Sequence, residues 1–296
     1  MTIKPIQLMI AGAAKSGTTS LLQYLAQHPQ IKTHRNPEFG FFLRDTEYQR
    51  GYQETFLREY GDNFNQDLTV IAKSSRLMYS ATAIKRLWEH SPNVKIVVIL
   101  RNPITRAYSD YWYSRLLGWE NITSFEDALA TESERLQQGW EQWYSCCYVY
   151  NGVYYPHLER LVNQFGREKI QVILFEDLHK QADEICQKIL TDLDLNTPDF
   201  SVLAKQHNSA GAPRSKLVAQ TFAKILKSQH PLKEKLRKSF PKSWADQIRN
   251  TIYQFNSKSF KKPPMREETK SWLQDQFRES NQKLSDLLAI DLTSWQ

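Results

Sequence analysis

Cysteine is scarce in this 296-residue chain: there are three, with Cys146 and Cys147 adjacent and Cys186 alone. That number and spacing argue against a disulfide framework or a four-ligand metal site and suit free thiols. Long hydrophobic runs are missing too. Stretches such as Ile96-Val-Val-Ile-Leu100 fall far short of the ~20 residues a bilayer crossing needs. The N-terminus enters its first apolar run without a signal-peptide pattern, so a soluble cytoplasmic protein is expected, and the Asn121-Ile-Thr123 glycosylation pattern reads as accidental. No internal repeat, low-complexity tract or Gly/Ser-rich linker breaks the chain. What is present, 41% hydrophobic and 24% charged residues, can bury a sizeable core in one large domain. A net charge of +7 attracts nucleic acid, anionic lipid or an anionic cofactor and substrate, and charge alone does not choose among them.

Short β-type apolar runs alternate with helical patterns, which predicts an α/β fold: a central parallel sheet flanked by helices on both faces. Strands are expected at Ile6 to Ala11, Leu68 to Ala72, Lys95 to Leu100 and Ile170 to Phe175. Helices are expected at Thr19 to Gln27, Ala81 to His90, Arg106 to Leu117, Phe125 to Leu136, Tyr155 to Phe165 and Ala182 to Leu190. After residue 200 the sheet-forming runs stop. A polar loop from Gln206 to Lys216 leads into Lys-rich helical sequence that continues to Trp295. With no linker between them, residues 1–200 and 201–296 are expected to be the core and the lid-plus-helical-cap of a single domain.

Missing as well is the lysine of an ATPase loop. The segment Ala11-Gly-Ala-Ala-Lys-Ser-Gly-Thr-Thr-Ser20 lies between Ile6-Gln-Leu-Met-Ile10 and Leu21-Leu-Gln-Tyr-Leu25, the place of a phosphate loop between strand and helix. A Walker A loop ends in Gly-Lys-Ser/Thr, whereas Gly17 is followed by Thr18, and Lys15 precedes that glycine by two places. Gly17 permits close backbone approach. The amides of Ser16 to Thr19 offer a helix N-terminus to an anion, Thr18, Thr19 and Ser20 add hydroxyl donors, and Lys15 adds a point charge. The alternative is a polar turn with a capping threonine. The strand ending at Leu100 also lacks the metal-holding aspartate of a nucleotide hydrolase and runs into Arg101 instead. In Arg101-Asn-Pro-Ile-Thr-Arg-Ala-Tyr-Ser109, Pro103 suits a first helical turn and Ser109 falls two turns along. An arginine there grips a second phosphate in bidentate fashion or serves as a structural ion-pair residue. No magnesium ligand is evident, and no metal is expected.

With these two elements the sequence resembles the sulfotransferases that use 3′-phosphoadenosine 5′-phosphosulfate (PAPS), a P-loop-like fold. Lys15-Ser-Gly-Thr-Thr-Ser-Leu21 is similar to the family's 5′-phosphosulfate loop, and Arg101-Asn-Pro with Arg106 and Ser109 to its 3′-phosphate element. The resemblance continues through Asn36-Pro-Glu-Phe-Gly-Phe-Phe42, Ala72-Lys-Ser-Ser75, Phe175-Glu-Asp-Leu178, His207-Asn-Ser-Ala-Gly-Ala-Pro-Arg-Ser215 and Lys262-Pro-Pro-Met265, and so covers nearly the whole chain. Glu38 before Phe41-Phe42 is similar to the branch of heparan-type carbohydrate enzymes and bacterial relatives, whose matching glutamate is the catalytic base. Residue 40 is Gly where carbohydrate enzymes often carry His, and the loop from Gln206 lacks their characteristic cysteine, so amino-sugar or hexose specificity is not carried over.

The resemblance implies PAPS as donor and roles for single residues. Lys15 and the loop amides stabilise charge on the leaving oxygen, Lys73 positions the base or neutralises the transferring group, and Glu38 takes the acceptor's proton. His207 is the alternative base, on a loop the family folds over the nucleotide, and Arg214 and Lys216 close over phosphates. The blander readings are a capping or ion-paired Glu38 and solvated charges on a mobile loop. Lysines and arginines between Lys233 and Lys242 read as a solvated face, and Tyr108, Tyr111, Trp112 and Tyr113 as core and pocket wall. The expected partner is a small-molecule, carbohydrate or acyl-carrier-protein-linked acceptor, with no nucleic acid, no membrane span and no implied oligomeric state. A P-loop kinase would need the missing Walker lysine and magnesium. A noncatalytic basic binding protein would show steep salt dependence without turnover.

Overall fold

The computed structural model describes residues 3–62, 65, 67–138, 146–195 and 262–295. Two compact units divide the described residues: those within Met1–Arg106, Val153–His207 and Arg278–Gln296, and those within Ala107–Gly152 and Asn208–Phe277.

The first unit is built on a five-stranded parallel sheet: β1 (Leu8–Gly12), β2 (Ile31–Lys32), β3 (Thr69–Lys73), β4 (Lys95–Leu100) and β5 (Ile170–Leu174), in the order β2-β3-β1-β4-β5. Parallel neighbours need crossover connections, and helices supply them: α1 (Thr18–Leu25), α2 (Asp45–Arg50), α3 (Tyr52–Tyr60) and α4 (Ala81–His90). Every residue of β1 and β3 is buried, as is all of β4 after Lys95, which is why these strands read as continuous apolar runs rather than alternating ones. Leu8, Ile10, Ile71, Val97 and Ile99 pack on one face with Leu21 and Leu25 of α1. Successive side chains of a strand alternate, so Met9, Ile96 and Val98 face the other side.

The next helices are α5 (Pro103–Leu116), α6 (Phe125–Ala130), α7 (Glu132–Gln137) and α8 (Tyr155–Phe165). After β5 come α9 (Phe175–Lys180) and α10 (Ala182–Asp192), and α11 (Glu267–Leu288) closes the chain. Ile189 and Leu190 of α10 join the α1 side of the core. Four expected strands and all six expected helical segments are present, with two boundaries worth a physical account. α5 begins a turn before the expected Arg106, because Asn102 Oδ1 accepts from the amides of Ile104 (3.0 Å) and Thr105 (3.3 Å) and so caps a helix with Pro103 at its first position. The single helix expected from Phe125 to Leu136 is two, broken at Thr131. Past the break, the Glu132 carboxylate accepts from the amides of Val149 (2.9 Å) and Tyr150 (2.6 Å), and buried Glu120 pairs with Arg135. Two-residue β2 and the polar helices α2 and α3 fall below what periodicity reveals. Most of the expected lid and cap lies outside the described residues. All three cysteines are free thiols, and among the described residues no helix is long and apolar enough to cross a membrane.

His90, the last residue of α4, sits in an aromatic cluster with its ring centroid 4.0 Å from that of Tyr52 and 5.5 Å from that of Phe42. Its Nε2 has no hydrogen-bond partner among the described residues, and burial holds its pKa down at about 4. With the folded value below histidine's ordinary 6.5, the unfolded chain takes up the proton first as pH falls, so this histidine's share of stability is lost between pH 6.5 and about 4. A His90→Phe variant is therefore expected to lose less stability than the parent over that interval. The difference should be about 1–2 kcal/mol after allowance for partial solvent exposure, read from urea midpoints at the two pH values.

Candidate active site

β1 lies at the centre of the sheet with β3 on one side and β4 on the other, so the chain reverses its direction of travel across the sheet beside β1. Ligands of open α/β sheets bind at the carboxyl ends of strands at such a point. Three of the predicted elements meet there: the loop after β1, Lys73 to Ser75 after β3, and Arg101 after β4.

The loop turns into α1 through two positive-φ residues, Lys15 (φ 70°) and Gly17 (φ 88°). Gly17 is the N-cap of α1 and has no side chain to occupy the first-turn amides. A Cβ at this position would lie 3.2 Å from Leu178 Cδ2 and 3.3 Å from Phe175 Cδ2, so both the backbone conformation and the packing of α9 call for glycine. Ser16, Thr18 and Ser20 are buried, and α1 has no acidic residue in its first turn. The Ser16 N–H, expected among the anion-binding amides, is instead used within the loop, donating to the Ala13 carbonyl (3.2 Å). The loop offers the first-turn amides of α1, hydroxyls and Lys15, a set of donors and positive charge that suits an anionic group.

Thr19 joins this loop to the second element. Buried Lys73 donates from Nζ to Thr19 Oγ1 (3.3 Å) and to Glu38 Oε1 (2.7 Å). Glu38 also accepts from the Ser75 hydroxyl at Oε1 (2.8 Å) and from the Ser75 amide at Oε2 (2.7 Å). Among the described residues Oε1 therefore holds two hydrogen bonds and Oε2 one, which leaves Oε2 a lone pair to spare there, on a side chain that is 36% exposed. The loop carrying Glu38 is pinned beside it. Phe39 N–H donates to the Lys73 carbonyl (2.7 Å), and Phe39, Phe41 and Phe42 are buried.

His34 completes the attachment. Its Nδ1 is 2.7 Å from the Asn36 carbonyl, and its Nε2 accepts from the Lys73 amide at 3.0 Å. Burial first, and the neighbouring Lys73 charge second, lower its pKa to about 4.

In the third element, Arg101 donates from Nε to Thr105 Oγ1 (3.0 Å) and from an Nη to the Lys15 carbonyl (3.3 Å), and its guanidinium lies 4.6 Å from the Phe175 ring centroid. Tyr154 donates to the Arg101 carbonyl at 2.9 Å. Burial lowers the Arg101 pKa and nearby Arg106 adds to the effect, while Tyr154 and Glu176 oppose it. Arg101 thus touches the loop after β1. Ser109 follows on α5, buried, within the second unit.

The structure therefore brings Thr19, Lys73 and Glu38 into direct contact and joins Lys15 to Arg101. His207, Arg214 and Lys216 lie outside the described residues. Sequence reasoning assigned no role to His34, Ser75, Thr105 or Tyr154. Ser75 and Phe175 stood inside segments already singled out, whereas a lone histidine in a polar loop carries no pattern to find it by.

A family model described as "Sulfotransferase domain" matches residues 5–283. Among curated proteins, the chain is similar to the bifunctional heparan sulfate N-deacetylase/N-sulfotransferase 1 of Caenorhabditis briggsae. The two are 28% identical over 206 residues, 65% of this chain and 23% of that protein. It is also similar to heparan sulfate glucosamine 3-O-sulfotransferase 5 of Homo sapiens, 30% identical over 168 residues, 56% of this chain and 46% of that protein. The matched regions span less than half the length of either relative. Among solved structures, a sulfotransferase from Alicyclobacillus acidocaldarius shares the fold with a TM-score of 0.70 at 23% identity, covering 99% of both chains.

Proposed function

The chain belongs to the sulfotransferase family of enzymes, and from that premise we propose that it moves a sulfuryl group from PAPS to an alcohol hydroxyl of a carbohydrate. The observation that carries this reading is the continuous contact from Thr19 in the anion loop through Lys73 to Glu38, which sets a proton acceptor beside a loop suited to an anion. The names of the two curated relatives, both concerned with heparan sulfate, support a carbohydrate acceptor, and the 3-O-sulfotransferase among them supports a hydroxyl.

Bound PAPS supplies the sulfuryl group and a phosphate leaving group. Transfers of this kind leave the protein positioning and charge stabilisation to perform. Glu38 takes the acceptor's proton at Oε2, the oxygen with the spare lone pair. Lys73 and Ser75 fix the carboxylate from behind, so that it meets the hydroxyl without first reorienting. Lys15 and the first amides of α1, a turn with no acidic residue and no side-chain cap, stabilise negative charge on the phosphate side. Arg101, held by Thr105 and the Lys15 carbonyl, binds the 3′-phosphate, the group that distinguishes this nucleotide from other adenosine phosphates. On the sequence resemblance, Arg214 and Lys216 are assigned to nucleotide binding, and His207 is the alternative base to Glu38.

The direct test supplies PAPS with a panel of sugars, lipids, phenols and carrier-linked β-hydroxyacyl groups, and measures adenosine 3′,5′-bisphosphate formed. Turnover with oligosaccharides supports the carbohydrate reading. Turnover confined to carrier-linked chains transfers the same chemistry to that acceptor, and no turnover with any hydroxyl overturns it.

Two variants test the residue assignments. Adenosine 3′,5′-bisphosphate is expected to bind at least about tenfold more tightly than 5′-AMP without added metal, since a charge-assisted contact is worth about 1.5–3 kcal/mol. Arg101→Ala should erase that preference in calorimetry while leaving the fold intact, and equal affinities in the parent would remove the assignment. Glu38→Gln keeps the side chain's shape and removes the proton acceptor, so kcat should fall by about 10²- to 10⁴-fold with donor affinity nearly unchanged.

A further inference from the structure

The backbone N–H and carbonyl of Lys73 are both used by one neighbouring loop. Its N–H donates to His34 Nε2 (3.0 Å), and its carbonyl accepts from Phe39 N–H (2.7 Å). Between those anchors lies Glu38, which reaches back to the Lys73 ammonium (2.7 Å). The far side of the loop is tied to α3, where Arg35 N–H donates to the Glu59 carbonyl (2.9 Å) and the Asn36 amide donates to the Glu59 carboxylate.

His34 has two partners of opposite character. A carbonyl only accepts, so Nδ1 must carry a hydrogen toward Asn36. A backbone N–H only donates, so Nε2 must carry a lone pair toward Lys73. The neutral imidazole with its proton on Nδ1 is the one form of the ring that satisfies both. Phenylalanine would fill the same space between Phe39 and Tyr60, whose ring centroids lie 5.8 and 6.1 Å away, and would meet neither partner. A protonated ring would turn an N–H against the Lys73 N–H and set a second positive charge beside the Lys73 ammonium.

We propose that His34 is a positioning residue for sulfuryl transfer: as the neutral Nδ1–H tautomer it sets the register between the Glu38 loop and Lys73, and so aims Glu38 at the acceptor. The proposal rests on the reading of Glu38 as the proton acceptor. His34 touches neither donor nor acceptor, and its effect passes through the Lys73 amide.

Two amide variants separate its bonds. The amide of His34→Asn reaches the place of Nδ1, so it keeps the donor to Asn36 and loses the acceptor for Lys73. The amide of His34→Gln reaches the place of Nε2 and keeps that acceptor. Assayed well below their melting temperatures, His34→Asn is expected to lose about 10- to 100-fold in kcat and His34→Gln to stay within about threefold of the parent, a loss of the size that a small misplacement of a catalytic group produces. Affinity for adenosine 3′,5′-bisphosphate should stay within about twofold in both, since the donor-side loop is untouched.

NMR supplies readouts independent of turnover. The parent's His34 should show a protonated Nδ1 and an unprotonated Nε2 at neutral pH, and the Lys73 amide should lose its exchange protection in His34→Asn but keep it in His34→Gln. Equal kcat in the two variants, or a parent ring protonated at Nε2, overturns the proposal while leaving Glu38 as the base. Full activity in Glu38→Gln instead overturns the base reading, and the positioning role with it.

Discussion

A lysine with 2% of its side chain exposed must be paired, and the pairing of Lys73 organises this site. Leaving such a charge uncompensated in the interior costs about 3–5 kcal/mol, so its partners are held in place as firmly as the fold itself. Those partners are Glu38 and Thr19. One ammonium group therefore couples the loop that suits an anion to the loop that presents a carboxylate, and a side-chain requirement sets the geometry on which the proposed proton transfer rests. Burial first, and this charge second, keep His34 beside it neutral, while the Ser75 hydroxyl and amide complete the Glu38 hydrogen bonds.

The sheet makes this coupling possible. With β1 central and β3 and β4 on either side of it, the strand ends deliver Lys15, Lys73 and Arg101 to one edge from segments far apart in the chain. Each strand is then stiffened by buried neighbours on both faces, which gives the loops a rigid base from which to project. Gly17 lets α1 begin close against Phe175, and Phe175 in turn carries the Arg101 guanidinium. The side proposed to bind the donor is thus packed as one piece with the start of α9.

Much of this was legible in the sequence, for identifiable reasons. Parallel strands buried on both faces announce themselves as continuous apolar runs, and Ile96 to Leu100 is such a run. The glycine and hydroxyl pattern at 15–20 follows from what an anion requires of a helix N-terminus. Glu38 and Lys73 were legible as candidates only through resemblance to a family, because two charged residues 35 positions apart show no periodicity that links them. What stayed hidden depends on tertiary contact. His34 is defined by two hydrogen bonds to residues that no sequence pattern pairs with it. The break at Thr131 costs little in local propensity and is matched by Glu132 contacts to residues 149 and 150. The start of α5 at Pro103 was legible in Asn102-Pro103, which suits a first helical turn, although the helical pattern itself was bounded only from Arg106.

The central claim is that Glu38 and Lys73 act as a unit, and a double-mutant cycle in kcat tests it most directly. Glu38→Gln, Lys73→Met and the double variant are to be compared on the acceptor that turns over, with donor affinity followed in parallel. If the carboxylate works only when the ammonium holds it, the double variant should be no slower than the slower single variant, the non-additivity of residues in one catalytic unit. Losses that multiply across the two single variants would show that Glu38 and Lys73 act independently and would contradict the account.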